Sequence, residues 1–160
     1  MAILNFLLNI FTNGALIVPT VSWLIAQVLK TIIDAAVNKT FRISILFGDG
    51  GMPSGHSATV SSLATIVGCQ VGFDTPEFAI AAIFAIVVMH DALGVRRETG
   101  KQAVVIMKMV DVISEYISEK DEEIKTEKLK VLVGHTPLQV FCGALLGIFV
   151  AVAYVLLIAV

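Results

Sequence analysis

From Leu138 to Val160 no residue carries a charge, and about 20 mostly apolar residues suffice to cross a bilayer as a helix. Lipid offers the backbone no hydrogen-bond partners, so such a segment must satisfy its own N–H and C=O groups, as a helix does. Three more stretches have the same character. Leu16 to Val37 is interrupted only by Lys30 and Asp34 near its end. Pro53 to Phe73 is rich in Ser, Thr, Gly and Ala, which suits close packing between helices. Glu77 to Leu93 is the third in chain order. Ahead of them, Ala2 to Phe11 is apolar but too short to cross, and Asn13-Gly14 breaks it into a half-helix. The expected fold is therefore all-α: an integral membrane bundle of four spans, with a short N-terminal half-helix and an amphipathic helix outside the bundle.

Composition agrees, with 57% hydrophobic residues, 15% charged residues and a mean hydropathy of +0.90. At 160 residues the chain is a single membrane domain, 1–160. A net charge of -2 argues against nucleic acid as a partner. Cys69 and Cys142 fall within apolar runs and read as small buried hydrophobes rather than a disulfide or metal pair. The first residues lack a basic region and a cleavage site, as expected of retained membrane structure.

The polar residues gather in one insertion, 94–134. In its first half Ala103, Ile106, Met107, Val110, Ile113 and Ile117 recur at helical spacing while Lys101, Lys108, Asp111 and Glu115 fall on other faces, the pattern of a helix lying on a membrane surface. Its second half, SEKDEEIKTEKLK, reads as a solvated turn or exposed helix. With four spans, all eleven Lys and Arg residues lie on one side: Lys30, Lys39, Arg42, Arg96, Arg97, Lys101, Lys108, Lys120, Lys125, Lys128 and Lys130. The positive-inside rule makes that side cytoplasmic and sends both termini outward. A prokaryotic plasma membrane is the expected location.

Two of the three histidines stand where apolar segments leave that same side. In GDGGMPSGHSATV the glycines let the backbone approach a ligand, Pro53 suits a first helical turn, and Ser54 or Ser57 can offer hydroxyls beside the exposed amides around Gly55. A helix mouth built this way attracts phosphate. In GHTPLQV, Thr136 is a good N-cap, Pro137 fits the first helical position and Gln139 completes a capping box. Capping leaves His135 unexplained, and it is placed to attack a phosphorus atom or to donate a proton to a leaving group. HDALGVRRETGKQA adds His90, Asp91, Arg96 and Arg97 at the end of the third span. Asp91 can pair with an arginine, orient a histidine or bind a cation; the arginine forks suit phosphate oxygens. Asp49 and Asp91 are the carboxylates that a metal would use, but no fixed spacing ties them together.

These blocks resemble the divergent branch of the type 2 phosphatidic acid phosphatase superfamily, related to acid phosphatases and vanadium-dependent haloperoxidases. The resemblance runs over nearly the whole chain, through AQVLK ending at Lys30, GGMPSGHSATVSSLAT, FAIVVMHDALGVRRETGKQA and GHTPLQVFCGALLGI, in matching order and spacing. It implies hydrolysis of a phosphate ester without a metal cofactor, with His135 as nucleophile and His56 as general acid. It also implies that Pro53, Ser54 and Gly55 belong to the phosphate signature and that Lys30 is the lysine of the first motif. The Arg-Pro that follows that lysine in the parent pattern is missing, and Val37 stands in the arginine's place. Arg42, Arg96 and Arg97 are the candidates to substitute. The residue four after His135, a carboxylate in the family pattern, is here Gln139, which can orient an imidazole but cannot stabilise an imidazolium electrostatically.

The implied partners are membrane lipid and a phosphorylated lipid substrate, either a phosphate or a pyrophosphate. Binding or transport of phosphorylated lipid without hydrolysis is the alternative, and an inactive structural protein a further one. Because the parent fold has more helices than this chain supplies, a homodimer is the expected completion, with CGALLG permitting close approach.

Overall fold

The computed structural model describes residues 8–40, 45, 51–118 and 135–158, with the side chains of 95–97, 99 and 114–118 also outside the description. Arg42, Asp49, Arg96, Arg97 and most of the charged stretch from 118 to 130 thereby lie wholly, or in their side chains, outside the described residues. Among the described residues five helices carry the fold: α1 Gly14–Asn38, α2 Gly55–Val71, α3 Pro76–Leu93, α4 Val95–Ser118 and α5 Pro137–Ile158.

Helix α1 begins where the sequence breaks. Residues 8–12 are helical, and Asn13 then leaves helical geometry to cap α1, accepting a hydrogen bond from the backbone N–H of Ala15 at 2.9 Å. Val18, Ser22, Ala26 and Lys30, four apart, form a buried line on α1. The helix stops at Lys39, whose φ of 52° is left-handed.

Helix α2 is the centre of the bundle and packs against α1, α3 and α5. Its residues are small, and its contact with α5 is close enough to need glycine: a Cβ on Gly143 would collide with the Ser54 carbonyl, and one on Gly147 with Ser61 Oγ and the Ala58 carbonyl. The hydroxyls brought into this apolar setting are occupied. Thr59 and Thr65 donate to carbonyls one turn back, at 2.8 Å each, and Ser61 Oγ reaches across to the Ala144 carbonyl at 3.1 Å. Away from the site, Val18, Ile66 and Ala151 form the apolar core, with Ala15, Tyr154 and Val155 around them.

The turn from α2 to α3 is tight. Gly72 has φ 108°, and Thr75 caps α3 by accepting from the Phe78 N–H at 3.3 Å, with Pro76 at the first helical position. Gly14 lies against Gln70 and Tyr154, so the start of α1 meets the ends of α2 and α5, and these helices run antiparallel to it. Helix α4 follows α3 directly and packs on it, with Gly100 buried and Ala103, Met107 and Val110 partly covered, while Ile106 and Ile113 are exposed.

Among the described residues three helices, α1, α3 and α5, are long and apolar enough to cross a membrane. The fourth span expected from the sequence, Pro53 to Phe73, corresponds to α2, which at 17 residues is shorter and is sheathed by the other helices. Large apolar side chains on the outer faces, including Ile80, Ile83, Phe84 and Ile86 on α3 and Phe141, Leu145 and Phe149 on α5, are exposed as lipid-facing groups are. Cys69 corrects the reading of both cysteines as buried: it is exposed and Cys142 half-buried, and both are free thiols. An apolar residue of a membrane helix gains nothing by facing inward when its outer neighbour is lipid.

Candidate active site

The two histidine motifs converge because their backbones are stitched together. The N–H of Ser54 donates to the Gln139 carbonyl at 3.0 Å, which fixes the mouth of α2 beside the first turn of α5. His56 and His135, about eighty residues apart in the chain, come to a ring-centroid separation of 6.3 Å with the planes at 59°. His135 is 4% exposed and His56 half-buried.

Each motif shapes its own half. Ser54 is fully buried and caps α2, its Oγ accepting from the Ser57 N–H at 3.3 Å and lying 3.1 Å from Ser57 Oγ. Its hydroxyl thus serves the helix end, and Gly55 and His56 follow as the first helical residues. The Met52–Pro53 peptide is cis, and Gly51 sits at φ 101° against Lys30. A Cβ at Gly51 would lie 2.7 Å from Lys30 Cγ and 2.8 Å from Cδ, so the entry loop folds directly over the lysine stem. Lys30 is 4% exposed, on the inner face of α1.

On α5 the capping box is complete: Gln139 N–H donates to Thr136 Oγ1 at 3.4 Å, and Thr136 N–H donates to Gln139 Oε1 at 2.9 Å. The second bond fixes the orientation of the amide, because a backbone N–H requires the oxygen and not the nitrogen of the side chain. Gln139 Oε1 also stands 3.3 Å from His135 Nδ1. An amide oxygen only accepts, so Nδ1 carries the proton and Nε2 is the ring's unprotonated nitrogen.

The remaining candidates are more dispersed. Asp91 is half-buried in the last turn of α3, with His90 exposed beside it. Arg96 and Arg97 belong to the first turn of α4. Lys101 is exposed and pairs with Glu98. Among the described residues no group of three or more His, Cys, Asp or Glu side chains could hold a metal ion. Two participants escaped the motif reading: Trp23 and Gln27 of α1 line Gly55, the first residue of α2. Their spacing before Lys30, two turns upstream for Trp23 and one for Gln27, is the signal that could have found them.

The chain is 42% identical over 147 residues to the uncharacterized membrane protein YuiD of Bacillus subtilis (strain 168), an overlap of 88% of this chain and 93% of that one. No solved structure matches it. The model of the divergent PAP2 family matches residues 11–150, which takes in α1, both histidine motifs, the HDALGVRRETGKQA block and most of α5, and the chain belongs to that family.

Proposed function

We propose that the protein is a membrane-embedded phosphatase that hydrolyses a lipid phosphate or pyrophosphate at the cytoplasmic leaflet, with His135 as nucleophile and His56 as general acid. The observation that carries this reading is the facing pair of imidazoles, 6.3 Å apart, one of them held as the Nδ1–H tautomer by Gln139. His135 Nε2 attacks phosphorus, the bond from phosphorus to the ester oxygen breaks, and His56 gives that oxygen its proton. Water then displaces phosphate from His135. Lys30 and the amides around Gly55 offset charge on the phosphoryl oxygens, while Ser54 contributes by holding the helix mouth open. Arg42, Arg96 and Arg97 are the candidate arginines to add to this charge. Asp91 is assigned to orienting them or the histidines. Helix α4 lies along the membrane surface through its exposed Ile106 and Ile113.

Phosphate release from lipid phosphates in detergent tests this. The protein should release phosphate, His135→Ala should abolish release, and His56→Ala should slow it about 10²–10⁴-fold. Release that survives His135→Ala would contradict the assignment. Gln139 favours a second reading, binding or transport of phosphorylated lipid without hydrolysis, since the amide gives no charge to stabilise an imidazolium. Tight binding with no release by any variant would support that reading.

A further inference from the structure

Helices α1 and α5 part along one side and leave an open groove of about 270 Å³. Ile17, Val21 and Ile25 form one wall and Phe149, Ala153 and Leu157 the other, each set at the spacing of four that keeps side chains on one helix face. Ala153 makes the hollow, a small residue between two large ones that stand exposed at the rim, while buried Val18 closes the floor. The groove occupies the first half of α1 and the last half of α5, so it lies in the half of the bundle away from Lys30, His56 and His135.

A groove this apolar does not hold water, and leaving it empty forfeits the dispersion contacts of its lining. Its shape selects what fills it. At 1.5 Å per residue the run from Ile17 to Ile25 is about 12 Å long, which gives the groove a mean cross-section of about 22 Å². A second helix, about 10–12 Å across with its side chains, needs roughly 80–110 Å² and is shut out. A hydrocarbon chain one methylene wide lies in it lengthwise. The groove also changes character where a lipid does. At the start of α1, Tyr154 Cε1 lies 3.4 Å from where a Cβ of Gly14 would be, the exposed Gln70 amide meets the same point, and the Asn13 cap precedes it. A tyrosine beside two amides suits the membrane–water interface, where a chain gives way to its headgroup.

We propose that the α1–α5 groove binds one acyl chain of a bilayer phospholipid whose headgroup lies at the end of the bundle remote from the histidines. This lipid is not the substrate, and its binding does not depend on catalysis. By filling the gap it steadies the two helices whose far ends hold Lys30 and His135.

The test places the 160-residue chain in phosphatidylcholine vesicles containing a phosphatidylcholine with a photoactivatable diazirine on one acyl chain, and maps the adducts by mass spectrometry after illumination. The outer face of α3, with Ile80, Ile83 and Phe84 comparably exposed but no groove, is the internal reference. Residues of the groove should carry several times the label of that face. Ala153→Phe, which fills the hollow with its own ring, should bring the groove down to the level of α3 and leave the α3 label unchanged. Val21→Phe closes the groove from the other wall and serves if Ala153→Phe does not fold. Equal labelling of groove and α3 in the unaltered protein would mean that only the general lipid annulus touches the groove, and would overturn the proposal. Labelling of the groove below that of α3 would show that a second copy of the chain covers it, with the same consequence. An excess of label that survives filling of the groove would also overturn it.

Discussion

Gln139 does two things through one oxygen, capping α5 through the Thr136 N–H and directing the His135 proton to Nδ1. A glutamate would do both and would add a negative charge beside the imidazole, and Glu is as good a member of a capping box as Gln. Gln139→Glu should therefore raise the rate of phosphate release by about tenfold or more, less than the ~10⁴-fold that the carboxylate contributes in acyl transfer because the tautomer is already set, while leaving thermal stability near that of the parent. A faster enzyme with unchanged melting fits this account. A variant that melts at the same temperature and releases phosphate no faster would show that His135 does not build up positive charge during the reaction. The glutamine was plain in the sequence as the residue four after His135. What the sequence did not show was that the capping bond settles the orientation of the amide, and hence the tautomer, because that depends on a backbone N–H and not on residue type.

Between elements, the site depends on how nearly α5 approaches the mouth of α2. Gly143 and Gly147 permit that approach, and Ser61 and the Ser54 N–H bridge it. Gly147→Ala would set a methyl against Ser61 Oγ and the Ala58 carbonyl, on backbone that cannot move without shifting the helix. Overpacking of this kind costs about 1–3 kcal/mol. The variant should lose that stability in detergent unfolding, whereas Gly94→Ala, with its nearest added contact at 3.4 Å, should change little. Equal stability of the two variants would mean that the α2–α5 approach is looser than described. The spans were legible because a membrane helix declares itself by length and apolarity, and Leu16 to Val37 fell within α1. The extent of α2 was harder to read, since a helix sheathed by others is built of small and polar residues and loses the apolar signature of its neighbours. The cysteines misled for the opposite reason: apolar character marks the inside of a soluble protein, but in lipid it marks the outside too.

For the molecule as a whole, the antiparallel course of α1 against α2 and α5 gathers Lys30, His56 and His135 at one end of the bundle. The turn at Gly72 to Thr75 lies at the other. If the basic residues face the cytoplasm, a cysteine at Lys39 should react with an impermeant thiol reagent only after cells are opened, and one at Asp74 should react from outside, both in a background without Cys69 and Cys142. The reverse pattern would place the site on the outer face and overturn the cytoplasmic assignment. The meeting of the two histidine motifs was foreshadowed by their positions at segments leaving the same side. The flank of α1 that approaches them, Trp23 and Gln27, was not, because no sequence pattern reports which helix lies against a glycine. The most direct test of the central claim is to quench the protein in base after a brief reaction with a lipid phosphate and to map phosphorylation by mass spectrometry. The account predicts phosphate on the imidazole of His135, absent from His135→Ala. Turnover that leaves His135 unmodified while another residue carries the phosphate would contradict it.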